Sequence, residues 1–337
     1  MTPSLAALDI ATVEVFAQAR SGWSGFFTLA TLVVTVASAI RLAAAYLIAA
    51  VGESVGQRSG VLNLGVDGVM LLGAFGAYYT MLQTGQPWYG LLVGLGVGSV
   101  MGLVYAFITV TLHAEQGISG IGIYLFGLGF SDLLFRQLVG TPLPIRGFDG
   151  LFDSTVPEGR LDIEYPDLYN HSLVIYLAFL LVPAVTLLVN RTTFGLNIRA
   201  VGDTPQAADS LGVSVARTRY GAILIGNTLA GAAGAVLALE TTGIFIQNMT
   251  NGMGFIAVAL VYFGAWRPLG VLAGSLLFSL VTSAVLQWQT LGILSGAAAQ
   301  LTAMAPAAVT IIALVVVTHR IGAPSALTRP FRRGAEH

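Results

Sequence analysis

The chain has no cysteine and no lysine, and only 9% of its 337 residues are charged. Without cysteine there is no disulfide and no thiolate metal site, and the redox compartment stays open. Without lysine, all fifteen basic residues are arginine, and a phosphate-cradling GxxxxGK[ST] loop cannot exist, because its Lys must reach the nucleotide phosphates. The chain is therefore not a P-loop ATPase by itself. Its four histidines are scattered without the HExxH spacing of a metal site, and no GxSxG element or other catalytic arrangement occurs. A net charge of -1 leaves no footprint for nucleic acid. Soluble chains carry roughly 25% charge. Here 55% of residues are hydrophobic and the mean hydropathy is +0.82, which excludes a soluble surface and points to an all-α polytopic membrane protein.

About 20 apolar residues are needed to cross the hydrocarbon as a helix. That ruler gives ten candidate spans, at 26–40, 42–57, 61–82, 88–112, 117–139, 171–190, 219–240, 254–265, 268–288 and 300–318. Residues 1–25, with Asp9, Glu14 and Arg20 among apolar neighbours, read as an amphipathic segment on the interface. They lack the basic start of a signal peptide. Residues 26–320 form the transmembrane domain and 321–337 a cytoplasmic tail. Short cytoplasmic loops are enriched in arginine. With ten spans and both termini inside, eleven arginines fall on the cytoplasmic side, and Arg41, Arg136, Arg146 and Arg160 do not. The longest external loop, about 140–170, then carries Asp149, Asp153, Glu158, Asp162, Glu164 and Asp167.

A polar stretch of 29 residues, 191–219, interrupts the apolar runs and falls in the cytoplasm under this topology. Within it Thr204 suits an N-cap, Pro205 the first helical position and Gly212 the left-handed residue past the end, predicting a helix over 205–211. Two turns are too few to persist alone in water, where roughly 12 to 15 residues are needed. Such a helix is a handle that a soluble partner can grip.

Three further patterns carry information. Gly90, Gly94, Gly98 and Gly102 recur every four residues, a stripe that lets another backbone approach closely, within one subunit in the plainer reading or across a dimer in the sharper one. GESVGQRSGVLNLGVDG, 52–68, interrupts apolar sequence with glycines and with Glu53, Asn63 and Asp67. A broken helix is the natural reading, allowed only against protein or a water-filled cavity. Its carboxylates either line a pathway or pair with Arg58 to fix the fold. GIFIQNMTNGMGF, with Gln247, Asn248 and Asn251, is either an external turn or a set of amides able to hydrogen-bond a neutral polyhydroxyl or heterocyclic solute. Glu240, just before it, either closes the external end of a pathway or reaches the headgroups, and Asp132 and Arg136, four apart, suit a structural ion pair.

GESVGQRSGVLNLGVDGVMLLGAF, FGLNIRAVGDTPQAADSLGV and NMTNGMGFIAVALVYFGAWRPLG resemble, in order, the signature regions of the branched-chain amino acid, ribose and nucleoside permease family of bacterial ABC importers, nearest its simple-sugar and nucleoside branch. The likeness covers about 40–318. It implies a permease fold with one broken or re-entrant segment, a second permease subunit, ATPase subunits that hold MgATP, and an extracytoplasmic solute-binding protein. This chain would need no cofactor of its own. The resemblance also implies that 204–212 is a coupling helix docking on the ATPase, with Gly202 and Gly212 at its ends and Arg199 and Asp203 orienting its start. Ala208 would then face the partner, so a bulky charged residue there is expected to uncouple hydrolysis from uptake. The chain departs from the family where Asp67 replaces the commoner Glu, where Gln57 precedes Arg58, and where Ala305-Pro306-Ala307 replaces Pro-Tyr. Two other classes fit the residues alone: an ion-coupled secondary transporter with a proton on Glu53 or Asp67, and a channel-like or structural subunit.

Overall fold

The computed structural model describes residues 25–150, 170–293, 296–318 and 322–331. Among the described residues the architecture is helical, with one isolated β-bridge, Gly150 to Ser172. Helix α1, Leu29–Arg58, starts on Thr28, whose hydroxyl accepts the Thr31 N–H, and ends with Arg58 at its negative pole. It is one 30-residue helix where two spans were expected. The reason is local: no glycine or proline occurs from Leu29 to Val51, and Arg41 is exposed on its side, where a long cationic side chain can reach away from the apolar surface.

Eight further elements follow: α2 Val66–Thr84, α3 Pro87–Ala106 (continued by a π turn, Phe107–Thr111), α4 Gln116–Leu138, α5 Leu173–Arg191, α6 Thr193–Asp203, α7 Pro205–Ser210, α8 Val215–Val236 (continued by a π turn, Leu237–Thr242) and α9 Met253–Phe263. The last three are α10 Pro268–Thr290, α11 Gly296–Ala303 and α12 Ala305–Thr318. Among the described residues six helices are long and apolar enough to cross a membrane: α1, α3 with its π turn, α4, α5, α8 with its π turn, and α10. The expected count of ten is not reached. The first two candidates are fused, the third begins only at Val66 and is not among the six, the eighth is an 11-residue helix of about 17 Å, and the tenth is divided at Met304.

Helix α8 is the centre of the bundle, packed on α1, α2 and α3. Small residues make this possible: a Cβ added at Gly98 of α3 would meet the Thr228 Cα and the backbone nitrogen of Gly231, both 3.0 Å away. Lipid supplies no hydrophobic drive between helices, so such backbone approach is what holds them. Gly90, Gly94, Gly98 and Gly102 all lie buried against α2 and α8 of the same chain.

Arg58, Arg191, Arg199, Arg217, Arg219, Arg267 and Arg329 gather at the end of the bundle that carries α6 and α7, the handle end. Arg136 and Arg146 lie at the other. Five helices, not six, separate residue 25 from the handle, so Phe26, stacked edge-on with Trp288 at 5.6 Å, sits at the end opposite the handle. This removes the even span count from which an N-terminus beside the handle was expected. The proposed interfacial segment and five of the six acids of the external loop lie outside the described residues. Part of the expected tail is built in: Ala326 donates to the Gly202 carbonyl at 2.9 Å and Thr328 to that of Gly60 at 3.2 Å.

Candidate transport site and coupling surface

Helix α1 stops because Gly60 turns left-handed, φ 87°, and Val61 N–H folds back onto the Gly56 carbonyl at 3.2 Å. Residues 61–65 then re-enter the bundle without helical bonds. Backbone at that depth needs partners, and side chains of α1, α3 and α4 supply them. Gln116 Oε1 of α4 accepts the Leu62 N–H at 2.9 Å, and Tyr105 of α3 donates to the Leu62 carbonyl at 2.5 Å. Glu53 Oε1 accepts the Asn63 N–H at 3.0 Å and the Gln57 amide at 3.1 Å. Asn63 Nδ2 donates to Asn227 Oδ1 of α8 at 2.9 Å, and the Trp266 indole to Gln57 Oε1 at 2.9 Å. The sequence-expected break is thus real and packed inside protein. Its carboxylate is held by amides, while Arg58 directs its Nε to the Trp266 carbonyl at 2.7 Å.

Asp67 opens α2, where a carboxylate meets the positive helix pole. It is fully buried. Its Oδ1 accepts the Gly254 N–H at 2.7 Å and its Oδ2 the Thr250 hydroxyl at 2.9 Å. These bonds pull the α8–α9 connection down into the bundle. The connection leaves α8 beside Ile145, passes Phe245 against Tyr78, and reaches Asp67 three turns lower on α2, about 16 Å away. Asn248 (φ 52°), Asn251 (φ 42°) and Gly252 (φ 85°) make it irregular, and asparagine is among the few side chains that tolerate this region. Gln247, Asn248 and Asn251 are exposed on the chain's own surface.

The six residues named from sequence therefore divide. Glu53, Asn63 and Asp67 are buried anchors, while Gln247, Asn248 and Asn251 form an exposed amide row on the loop that Asp67 holds. Gln116, Asn227, Tyr105, Thr250 and Trp266 belong to the same network and were missed. A single amide inside a long uncharged run, as Asn227 is between Arg219 and Glu240, was the available signal. Asp132 and Arg136 form the expected ion pair at 3.0 Å, and Glu240 sits in the π turn ending α8.

At the handle end, Thr192 caps α6 by accepting the Gly195 N–H at 3.0 Å. This helix was not expected. In α7, Pro205 takes the first position and Gly212 the left-handed one, φ 88°, as expected. Thr204 departs from expectation: at φ −141°, ψ 78° its hydroxyl makes no cap bond, and only its carbonyl, accepting from Ala208 at 3.0 Å, starts the helix. Gly202 is buried directly on the Arg58 carbonyl, with no room for a Cβ. Ala208 also faces inward, 3% exposed in a small core with Val201, Val215 and Phe331. A charge there would break the handle before meeting a partner. The surface actually offered comprises Asp203, Thr204, Gln206, Ala207, Ser210 and Leu211, the last 85% exposed.

A family described as branched-chain amino acid transport system / permease component matches residues 35–318. The chain belongs to that family. The permease is similar to TsgC13 of Haloferax volcanii, named for a glucose ABC transporter, with 39% identity over 75% of this chain and 77% of the relative. It is also similar to the guanosine ABC transporter permease protein NupQ of Bacillus subtilis, 31% identical over 90% and 98% of the two chains. The nucleoside ABC transporter permease protein NupC of Lactococcus lactis is 31% identical over 88% and 96%. No solved structure matches. The permease is thus the multi-pass membrane subunit of an ABC importer and not an enzyme, and ATP hydrolysis belongs to a separate subunit. Membership implies ATPase and solute-binding-protein partners in general.

Proposed function

We propose that the permease imports a nucleoside or simple sugar by alternating access, driven by MgATP in a partner ATPase that grips the handle. The carrying observation is one continuous link. Leu211 and its neighbours are exposed on α7, α6 rests through Gly202 on the Arg58 carbonyl, and Arg58 ends the helix whose Glu53 pins the re-entrant segment. That segment leads directly into Asp67, which holds the amide loop. A push on α7 therefore has a short path to the loop.

The amide row of Gln247, Asn248 and Asn251 suits a neutral solute with several hydroxyl or ring-nitrogen groups. Irregular backbone and exposed amides are poorly matched to lipid, which supports a loop facing an aqueous cavity between this permease and a second permease subunit, the same or a paralogue. The relatives named for glucose, guanosine and nucleosides support the solute class. Seven arginines at the handle end against Arg41, Arg136 and Arg146 toward the other support a cytoplasmic handle. The first described residues would then lie on the external side, where a solute-binding protein docks. Uptake of radiolabelled guanosine and glucose into proteoliposomes holding permease, ATPase and binding protein tests this. ATP-dependent uptake is expected; uptake driven by an ion gradient without ATPase would contradict it.

A further inference from the structure

Three arginine side chains converge on a cavity at the handle end, beside the coupling path. Arg58 at the end of α1, Arg199 on α6 and Arg267 before α10 line a space of about 240 Å³ together with one acid, Asp203. Arg58 lies within electrostatic reach of the other three groups. Two positive charges are thus in excess, and like charges gathered this closely repel one another unless an anion sits between them. Arg199 Nε is buried and has no hydrogen-bond partner, which leaves a strong donor unmatched.

The wall of this cavity is strained. Ala265 (φ 55°) and Trp266 (φ 57°) are consecutive left-handed residues, neither of them glycine. L side chains seldom adopt this conformation, and it concentrates at functional sites. Trp266 is also the residue whose carbonyl holds Arg58 and whose indole holds Gln57. An occupant of the arginine cluster would therefore touch the corner that secures the helix break.

A second space of about 550 Å³ adjoins the first, sharing Arg58, Ala265 and Arg267. It opens between α5 and α10 and adds Asn190, Phe263 and Leu269, the last 65% exposed. A guanidinium cluster thus grades into an amide and then into an apolar lip. Arginine forks match phosphate oxygens, and basic pockets between transmembrane helices suit acidic lipid headgroups. We infer that this paired cavity binds the phosphate of an anionic phospholipid, with the acyl chains passing over Phe263 and Leu269, and that the bound lipid steadies the Trp266 corner.

Native mass spectrometry of the purified transporter complex, taken from nanodiscs of phosphatidylcholine with or without phosphatidylglycerol, tests the site. Wild type is expected to retain phosphatidylglycerol selectively. Each arginine near a membrane surface is worth roughly a factor of five in anionic-lipid affinity, so the double variant R199Q/R267Q should bind about thirty-fold more weakly. The control pair R191Q/R217Q removes two handle-end arginines outside the cavity and should retain the lipid. Equal retention in wild type and R199Q/R267Q overturns the proposal, as does equal loss in both double variants, which would indicate diffuse attraction. If wild type retains no phosphatidylglycerol from the mixed nanodiscs but binds added inorganic phosphate, and R199Q/R267Q does not, the site takes free phosphate and the lipid assignment is overturned.

Discussion

Glu53 reaches ten residues forward to accept the Asn63 backbone N–H at 3.0 Å, so a carboxylate on one helix fixes the non-helical chain that follows it. Removing it orphans both that N–H and the Gln57 amide. E53A should lower stability by about 1 to 3 kcal/mol per donor left buried and unmatched. E53Q keeps an acceptor in place and should lose far less. Thermal unfolding of the purified permease separates the two, and E53Q that still supports uptake would also argue against a proton carried on this group.

Asp67 and Thr250 form the second anchor, 183 residues apart in sequence and 2.9 Å apart in space. A double-mutant cycle of D67A and T250V should show a coupling of about 0.5 to 3 kcal/mol. D67A, which also strands the Gly254 N–H, should reduce uptake much more than membrane insertion. Additive effects within measurement error would mean that the loop is held by other contacts.

Two glycines on α3 make a matched pair for testing the close packing of α8. Gly98 faces backbone atoms of α8, whereas Gly96 has nothing within 4 Å of an added Cβ. G98A should cost about 1 to 3 kcal/mol through overpacking. G96A should be neutral or stabilising by up to about 1 kcal/mol, since alanine favours the helix. Similar melting temperatures for both variants would contradict the packing described.

Much of this was legible in the sequence for identifiable reasons. The break at 59–65 announces itself through Gly60 and a polar run inside apolar sequence, and α7 through Pro205 and Gly212. The fused first helix was misread because Arg41 looked like a boundary, although one exposed charge does not end a helix that has no breaker. The polar network was only half visible. Glu53, Asn63 and Asp67 stand in one segment, but Asn227, Gln116 and Thr250 reach them only through the fold. The inward face of Ala208 was hidden for the same reason: a two-turn helix of small residues has no apolar stripe, and Val201, Val215 and Phe331 decide which side is buried.

That correction changes which handle residue should matter to coupling. A208D should lower the yield of folded permease, because it puts a charge into the small core under α7. L211D alters only an exposed side chain and should leave folding intact while reducing ATP-coupled uptake at least about tenfold, equivalent to roughly 1.4 kcal/mol of lost docking energy. Uptake and folded yield measured together distinguish them.

The central claim, that a separate ATPase grips α7, has a direct test because the chain contains no cysteine. A single cysteine at Leu211 can be joined by a short bifunctional reagent to cysteines placed in the ATPase of the assembled transporter. The account predicts a permease–ATPase product from L211C that changes in yield when ATP is bound, and none from a cysteine replacing Leu143 at the opposite end. Absence of any product from L211C in a complex that hydrolyses ATP and transports would contradict it.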